Sequence, residues 1–496
     1  MPILRSFALA AVMVLPSIPG QPVTAGPPPQ TVPALQEWKA EPGNYTFGPG
    51  SRVVVDPAHA AELAADAALF AEDLQALTRR PVTVTREKAR AGDIVLTLGG
   101  SGDAEGYTMR SGSTVTIQGR ASTGVFYGTR TVLQLLKQGN TIPAGTARDW
   151  PEKPERGLMI DQGRKFFSVD WVKRHIRELA YLKLNTFHFH LSDSQGFRLE
   201  STSHPEVVSA QRYTKAEMAE LIALAARYHV TVIPEIDMPG HMNAVLTPHP
   251  ELQLRTAGGT ADPYYLDLSK EGAYVLASEL INEYLPLFPG PYWHVGADEY
   301  VLNYGQYPQL LEYARSHYGA EATAKDTYYG FVNWVNDLVR AQGKTLRMWN
   351  DGIKNGDGAI EPHPSIVVDY WFSFGLSPQQ LLDRGHVIAN QSWTPTYYVL
   401  GGQKPDTQWM YETWRPGRFE DGQLVTMPSR NRGTMLHVWC DNPDAETEDQ
   451  IAAGIRYPLR ALAQGTWGSP KPVASYADFV AFADRAGRVP GFQGSS

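Results

Sequence analysis

The sequence predicts an α/β protein, a (β/α)8 TIM barrel preceded by a small α+β domain. Three observations point there. From Arg156 onward, short apolar runs alternate with amphipathic helical stretches over roughly 300 residues. Polar and aromatic residues with chemical potential fall just after those runs, where barrel strands end. A proline-marked seam, Asp149-Trp150-Pro151-Glu152-Lys153-Pro154, divides this region from an earlier mixed one. An open doubly wound sheet is the alternative. No Gly-x-Gly-x-x-Gly turn follows the first strand, which removes its usual dinucleotide-binding form.

Residues 1–25 read as an export signal, implying a secreted or extracytoplasmic protein. Arg5 precedes an apolar run over 7–15, and Val23-Thr24-Ala25 supplies small residues before a cleavage point near Ala25. The run is too short to span a bilayer. Residues 26–150 form the α+β accessory domain, with a Pro-rich extended lead-in to about residue 40. Strands are expected at 52–55, 82–85, 94–98 and 114–118, and helices at 58–77 and 125–136. Residues 151–490 form the barrel. Its strands are expected at 157–160, 186–191, 230–235, 292–296, 345–349, 366–370, 386–390 and 434–439. Ser168 is placed to cap a helix over 169–182, and Thr214-Lys215-Ala216-Glu217 is a capping box opening a helix that runs to Tyr228.

Composition narrows the function. The 496 residues are 43% hydrophobic and 19% charged, an ordinary globular balance. A net charge of −8 leaves no electrostatic footprint for nucleic acid. Aromatic residues, including 12 Trp and 24 Tyr, suit stacking against flat sugar faces, although large cores use them too. The single cysteine, Cys440, excludes an internal disulfide framework and reads as a buried structural thiol.

The most informative run is Trp293-His294-Val295-Gly296-Ala297-Asp298-Glu299. Neighbouring side chains on an extended backbone point in opposite directions, so Asp298 and Glu299 cannot form the face-to-face pair of an ordinary glycosidase. Acids this close must be separated by environment, one ionised and one protonated, to work on one substrate. That suits a reaction whose second nucleophile comes from the substrate. Other candidates follow other strands: Asp161 and Arg164, Asp193, His241, and the tryptophans Trp349, Trp371 and Trp439.

These motifs, in order, resemble those of the glycoside hydrolase family 20 β-N-acetylhexosaminidases. The likeness rests on Arg156 to Asp161, Arg164 to Phe167, Lys183-Leu184-Asn185, His188 to Leu191, Pro239-Gly240-His241 and His294 to Glu299, with Gly124 to Leu136 in the accessory domain. It implies an exo-acting enzyme, with a catalytic barrel, that removes terminal β-linked N-acetylglucosamine or N-acetylgalactosamine from glycans or chitooligosaccharides. The implied chemistry is substrate-assisted and retaining, through an oxazolinium intermediate. Asp298 then orients the acetamido group, Glu299 is acid and base, and Asp193 with His241 tunes Glu299. Arg164 holds sugar hydroxyls, and Trp349, Trp371 and Trp439 wall the pocket. No cofactor and no metal are implied, and no membrane span.

Two positions depart from the family pattern. Its Tyr-x-Asp falls on Thr396-Tyr397-Tyr398-Val399-Leu400, where Tyr398 is the choice for the tyrosine, Tyr397 the neighbour, and Leu400 then replaces the Asp. Trp439-Cys440-Asp441 stands for Trp-x-Glu, with Asp441 one methylene short of the usual acceptor. Such changes also suit a lacto-N-biosidase-like member that releases a disaccharide. The remaining alternatives are a non-catalytic carbohydrate-binding protein on the same scaffold and a metal-dependent barrel hydrolase. His188 and His190 share a strand face near Asp193, but without further ligands a barrel-core or pocket-wall role is favoured.

Overall fold

The computed structural model describes residues 26–427 and 429–492, so the export-signal expectation lies outside the described residues. The first unit is a seven-stranded mixed sheet against which helices Ala60–Thr78 and Ser122–Lys137 pack, joined by the buried pair Arg130–Asp73 at 2.5 Å. The strands expected near 53, 84, 94 and 115 are present. Three antiparallel strands, Glu37–Thr46, Tyr107–Ser111 and Thr141–Asp149, were not expected. The first replaces part of the extended lead-in. Its Pro42 and Gly43 obscure the strand pattern because they fall where the pairing register shifts, between Ala40 and Asn44.

Eight parallel strands then form the barrel: Glu155–Asp161, Thr186–His190, Thr231–Met238, Tyr292–Gly296, Thr345–Trp349, Val367–Tyr370, Val387–Asn390 and Gly433–Trp439. The eighth pairs with the first from Gly433 to Val438. The seventh meets the approach to the eighth, with Ile388 N–H donating to Arg430 O (3.0 Å) and Arg432 N–H to Ile388 O (2.9 Å). A short further strand, Tyr397–Val399, lies parallel to the end of the eighth. Ser168 caps helix Val169–Tyr181, and the Thr214–Glu217 capping box is present on helix Lys215–Arg227. Each cap is worth about 1 kcal/mol.

The two units meet over buried polar contacts. Asp149, ending the first sheet, accepts from Lys183 Nζ (2.7 Å), Tyr107 Oη (2.7 Å) and Trp467 Nε1 (2.8 Å). Inside the barrel, Arg347 is buried between Glu155 (2.6 and 2.9 Å) and Asp369 (2.5 and 2.9 Å). Toward the strand ends a second polar layer forms around buried Glu235. Its Oε2 lies 2.9 Å from both His188 Nε2 and His190 Nδ1, and its Oε1 accepts from Trp349 Nε1 at 2.8 Å. This layer carries the framework up to the mouth.

Candidate active site

A cavity of about 460 Å³ opens at the C-terminal ends of the barrel strands. It is lined by Arg164, His241, Asp298, Glu299, Trp349, Trp371, Tyr397, Trp439 and Asp441, all singled out in the sequence, and by Trp393 and Val399. Residues from seven of the eight strand ends therefore converge on one pocket, as closure of a parallel barrel requires.

The backbone around the two acids is held in an uncommon conformation. His241, Ala297, Glu299 and Val301 all have positive φ (56°, 66°, 48° and 45°), which costs a side-chain-bearing residue roughly 1–2 kcal/mol each. Gly296, at φ 71°, demands glycine: a Cβ there would lie 1.8 Å from Asp237 Oδ1. This turn sends Asp298 inward and Glu299 toward the mouth. The Asp298 side chain is 13% exposed and the Glu299 side chain 53%. Asp298 Oδ1 is buried and has no hydrogen-bond partner among the described residues.

His241 joins the acids to the strand behind them. Its Nδ1 lies 3.3 Å from Asp193 Oδ1, and its Nε2 lies 3.3 Å from both Asp298 Oδ2 and Glu299 Oε2. Burial opposes a charge on His241, yet Asp298, Asp237 and Asp193 outweigh it and raise its pKa well above the usual histidine range. Asp193, although buried, is held far below the carboxylate range by His190 and His241, with Arg164 adding to the effect. Arg164 forks between Asp161 Oδ2 (2.9 Å) and Asp193 Oδ2 (3.0 Å), with its guanidinium carbon 5.4 Å from the Trp439 ring centre. Cys440 is buried, and burial pushes its thiol up, which fits a structural thiol.

The His188–His190 face is taken up by Glu235. His190 sits 2.8 Å from Asp193 and 2.9 Å from Glu235. Burial disfavours its charge, but the two carboxylates win and keep it protonated. An imidazolium has no lone pair to offer a cation.

One assignment is corrected. Tyr398 points out of the pocket, where its hydroxyl donates to Glu446 Oε2 at 2.5 Å, whereas Tyr397 lines the cavity. Successive strand residues face opposite ways, so the choice depended on the phase of strand Tyr397–Val399. The residue two beyond Tyr397 is then Val399, which lines the pocket, and not Leu400, which is buried beside Trp439.

Four residues escaped the sequence analysis. Tyr264 Oη lies 2.6 Å from His241 Nε2 and 3.4 Å from Glu299 Oε2. Trp393 packs on Tyr397 at 5.0 Å between ring centres. Asp351 accepts from the Glu299 N–H (2.8 Å) and from Trp371 Nε1 (3.1 Å). Buried Asp237 has no partner for either oxygen among the described residues, and burial with the nearby Asp298 charge raises its pKa well above the carboxylate range. Trp393 follows the seventh strand, as an aromatic of interest should. Tyr264 comes from a hairpin with no such signal.

The chain is similar to known proteins over both units. The model of the glycosyl hydrolase family 20 catalytic domain matches residues 154–452, and that of the family's domain 2 matches 28–150. The chain is 34% identical over 473 residues to a lacto-N-biosidase of Bifidobacterium bifidum, covering 92% of this chain and 42% of that protein. It is 32% identical over 298 residues to a beta-hexosaminidase of Porphyromonas gingivalis, covering 54% and 38%. The chain thus spans under half the length of either relative. Among solved structures, a mutant Streptomyces plicatus beta-hexosaminidase in complex with GlcNAc superposes with TM-score 0.75 at 27% identity, covering 94% of this chain and 95% of that one. A GH20 beta-N-acetylhexosaminidase from Streptomyces coelicolor gives TM-score 0.75 at 27% identity, covering 93% and 95%.

Proposed function

Because the chain belongs to glycosyl hydrolase family 20, we propose that it cleaves glycosides ending in β-linked N-acetylhexosamine, with the substrate's own acetamido oxygen as nucleophile. One observation carries the reading. Asp298 lines the pocket beside tryptophans that would enclose an acetamido methyl, and its buried Oδ1 has no hydrogen-bond partner among the described residues. An unpaired buried carboxylate oxygen is costly, and an acetamido N–H would satisfy it.

The steps follow from the placement. The acetamido carbonyl oxygen attacks the anomeric carbon while the glycosidic oxygen departs with the proton of Glu299. Asp298 accepts the acetamido N–H and offsets the positive charge that develops on the ring. Glu299 then takes a proton from water as that water opens the oxazolinium, and the β configuration is retained. Asp193 and His241 position Glu299 from behind. Tyr397 is assigned to the acetamido carbonyl, Arg164 and Asp441 to sugar hydroxyls, and Trp349, Trp371 and Trp439 to the walls. Trp349 is fixed for this by its bond to Glu235.

Disaccharide release is a second reading, supported by Val399 and by the similarity to a lacto-N-biosidase. Where the family pattern has an acid for a sugar hydroxyl, a valine leaves that hydroxyl unpaired, so a substrate with the position occupied by another sugar loses less. The test is a hydrolysis panel of p-nitrophenyl β-GlcNAc, β-GalNAc, β-glucose and a galactosyl-GlcNAc disaccharide glycoside. Cleavage confined to acetamido sugars supports the proposal, and equal cleavage of the glucoside overturns it. The ratio of free disaccharide to monosaccharide decides between the two readings. Action after export is proposed from the N-terminal pattern around Arg5 and Ala25. N-terminal sequencing of the released protein tests it.

A further inference from the structure

Asp351 is two residues beyond the fifth barrel strand and touches both the acid and the wall. One oxygen accepts the backbone N–H of Glu299 at 2.8 Å, and the other accepts the indole N–H of Trp371 at 3.1 Å. The segment is fixed from several sides. Asn350 accepts from Trp371 N–H (2.8 Å) and donates to the carbonyls of Phe372 (2.8 Å) and Phe374 (3.1 Å). Gly352 packs so closely on Tyr328 that a Cβ would lie 2.1 Å from its hydroxyl, and that hydroxyl donates to Ala297 O at 2.6 Å. The turn carrying Asp298 and Glu299 is therefore clamped to the loop carrying Trp371, with Asp351 at the joint.

We propose that Asp351 is a positioning residue for the general acid: it holds the left-handed Glu299 backbone in place, couples it to the Trp371 wall, and sets a negative charge beside the acid that must keep its proton. The inference rests on the reading of Glu299 as that acid.

Three features support it. Glu299 has a φ of 48°, which a free loop would not hold unaided, and the bond to Asp351 is the contact its N–H makes. Asp351 retains two donors, a satisfied arrangement for an ionised carboxylate. Burial and the charge of Asp298 nevertheless push its carboxyl up to about 6, so it ionises in the range where such an enzyme works. The other groups facing it are Glu299, Lys325 at the start of helix Lys325–Ala341, and the hydroxyls of Tyr304, Tyr328 and Tyr397. Burial lowers Lys325 to about 8, and its ammonium lies 4.0 Å from the Tyr328 ring centre.

The test compares Asp351→Asn and Asp351→Glu with the natural enzyme in pH profiles of kcat and kcat/KM on an N-acetylhexosaminide. In Asp351→Asn the amide turns a donor toward a donor and removes the charge. Its kcat should fall about 30-fold with KM changed less than about threefold. The alkaline limb should move down by about one pH unit, because Glu299 then loses its proton more readily. Asp351→Glu keeps the charge but shifts the carboxylate by a methylene, so kcat falls while the limb stays. The Asp351→Asn shift should recur in a Lys325→Met background, which separates it from the lysine's own titration. An Asn variant whose limb coincides with the natural enzyme's, or whose loss lies in KM alone, overturns the proposal. If the Asn variant does not melt cooperatively, a Glu variant with undiminished kcat overturns it. Failure of Glu299 itself as the acid would show separately, as equal losses on activated and unactivated glycosides in Glu299→Gln.

Discussion

Replacing Asp298 by Asn separates charge stabilisation from binding. In the structure, Asp298 Oδ2 faces His241 Nε2 at 3.3 Å, and the buried Oδ1 has no hydrogen-bond partner among the described residues. With the carboxylate roughly 4–5 Å from the developing ring charge, an effective dielectric of about 20 gives on the order of 3–4 kcal/mol of transition-state stabilisation. The amide keeps one acceptor, but its NH2 must meet either His241 or the acetamido N–H, so part of a charge-assisted bond is lost as well. Screening at the open mouth trims the total, and kcat is expected to fall about 10²- to 10³-fold. KM should change only a few-fold, because the charge it answers is largely absent from bound substrate. Stability should hold or rise, since Asp237 and Asp351 are both held above the carboxylate range partly by this charge. The assay is steady-state hydrolysis of p-nitrophenyl β-GlcNAc alongside a thermal melt. A variant with unchanged kcat and a raised KM would refute the reasoning, and so would normal turnover of any kind.

Other expectations follow from the same geometry. Glu299→Gln should lose about 10³-fold or more on an unactivated glycoside and clearly less in glycoside cleavage of a p-nitrophenyl substrate, whose leaving group needs no proton; product-release rates on the two substrates check this. Tyr397→Phe should lower kcat about 10- to 100-fold, while Tyr398→Phe, which removes a hydroxyl facing Glu446, should leave kinetics intact and cost about 1 kcal/mol in a denaturant melt. Val399→Asp should raise the kcat/KM ratio for monosaccharide over disaccharide glycosides, measured on the paired substrates. Stability should peak near pH 6.5. Burial holds His175 and His437 down to about 3, so each contributes stability above about pH 6.5 that is lost as pH falls toward 3. His294, against the opposing effect of burial, is raised by Glu235 and Asp369 to about 9, so its contribution is complete below about pH 6.5 and lost as pH rises through 9. The latter amounts to about 3 kcal/mol, and thermal melts across pH 4–10 should show both flanks, the alkaline one flattened in His294→Asn.

The barrel was readable because its strands are buried on both faces and appear as near-continuous apolar runs between capped helices. The ordered motifs then placed most of the pocket. Strands of the first sheet were harder: Glu37–Thr46 carries Pro42 and Gly43 at an irregularity, and its exposed side lacks an apolar pattern. Tyr397 and Tyr398 differ only in strand phase, and no turn or alternation around Thr396 reveals it. Tyr264 and Asp351 reach the acids from segments whose ends are set by tertiary packing, Asp351 through Asn350 and the Trp371 loop. Those contacts exist only once the barrel has closed.

The central claim is that the acetamido oxygen of the substrate attacks the anomeric carbon. The most direct measurement is kcat/KM for p-nitrophenyl glycosides bearing acetyl, mono-, di- and trifluoroacetyl groups on the 2-nitrogen. Each fluorine weakens the carbonyl as a nucleophile while changing its size little, so the rate should fall steeply along the series. A flat series would place the nucleophile elsewhere and contradict the account.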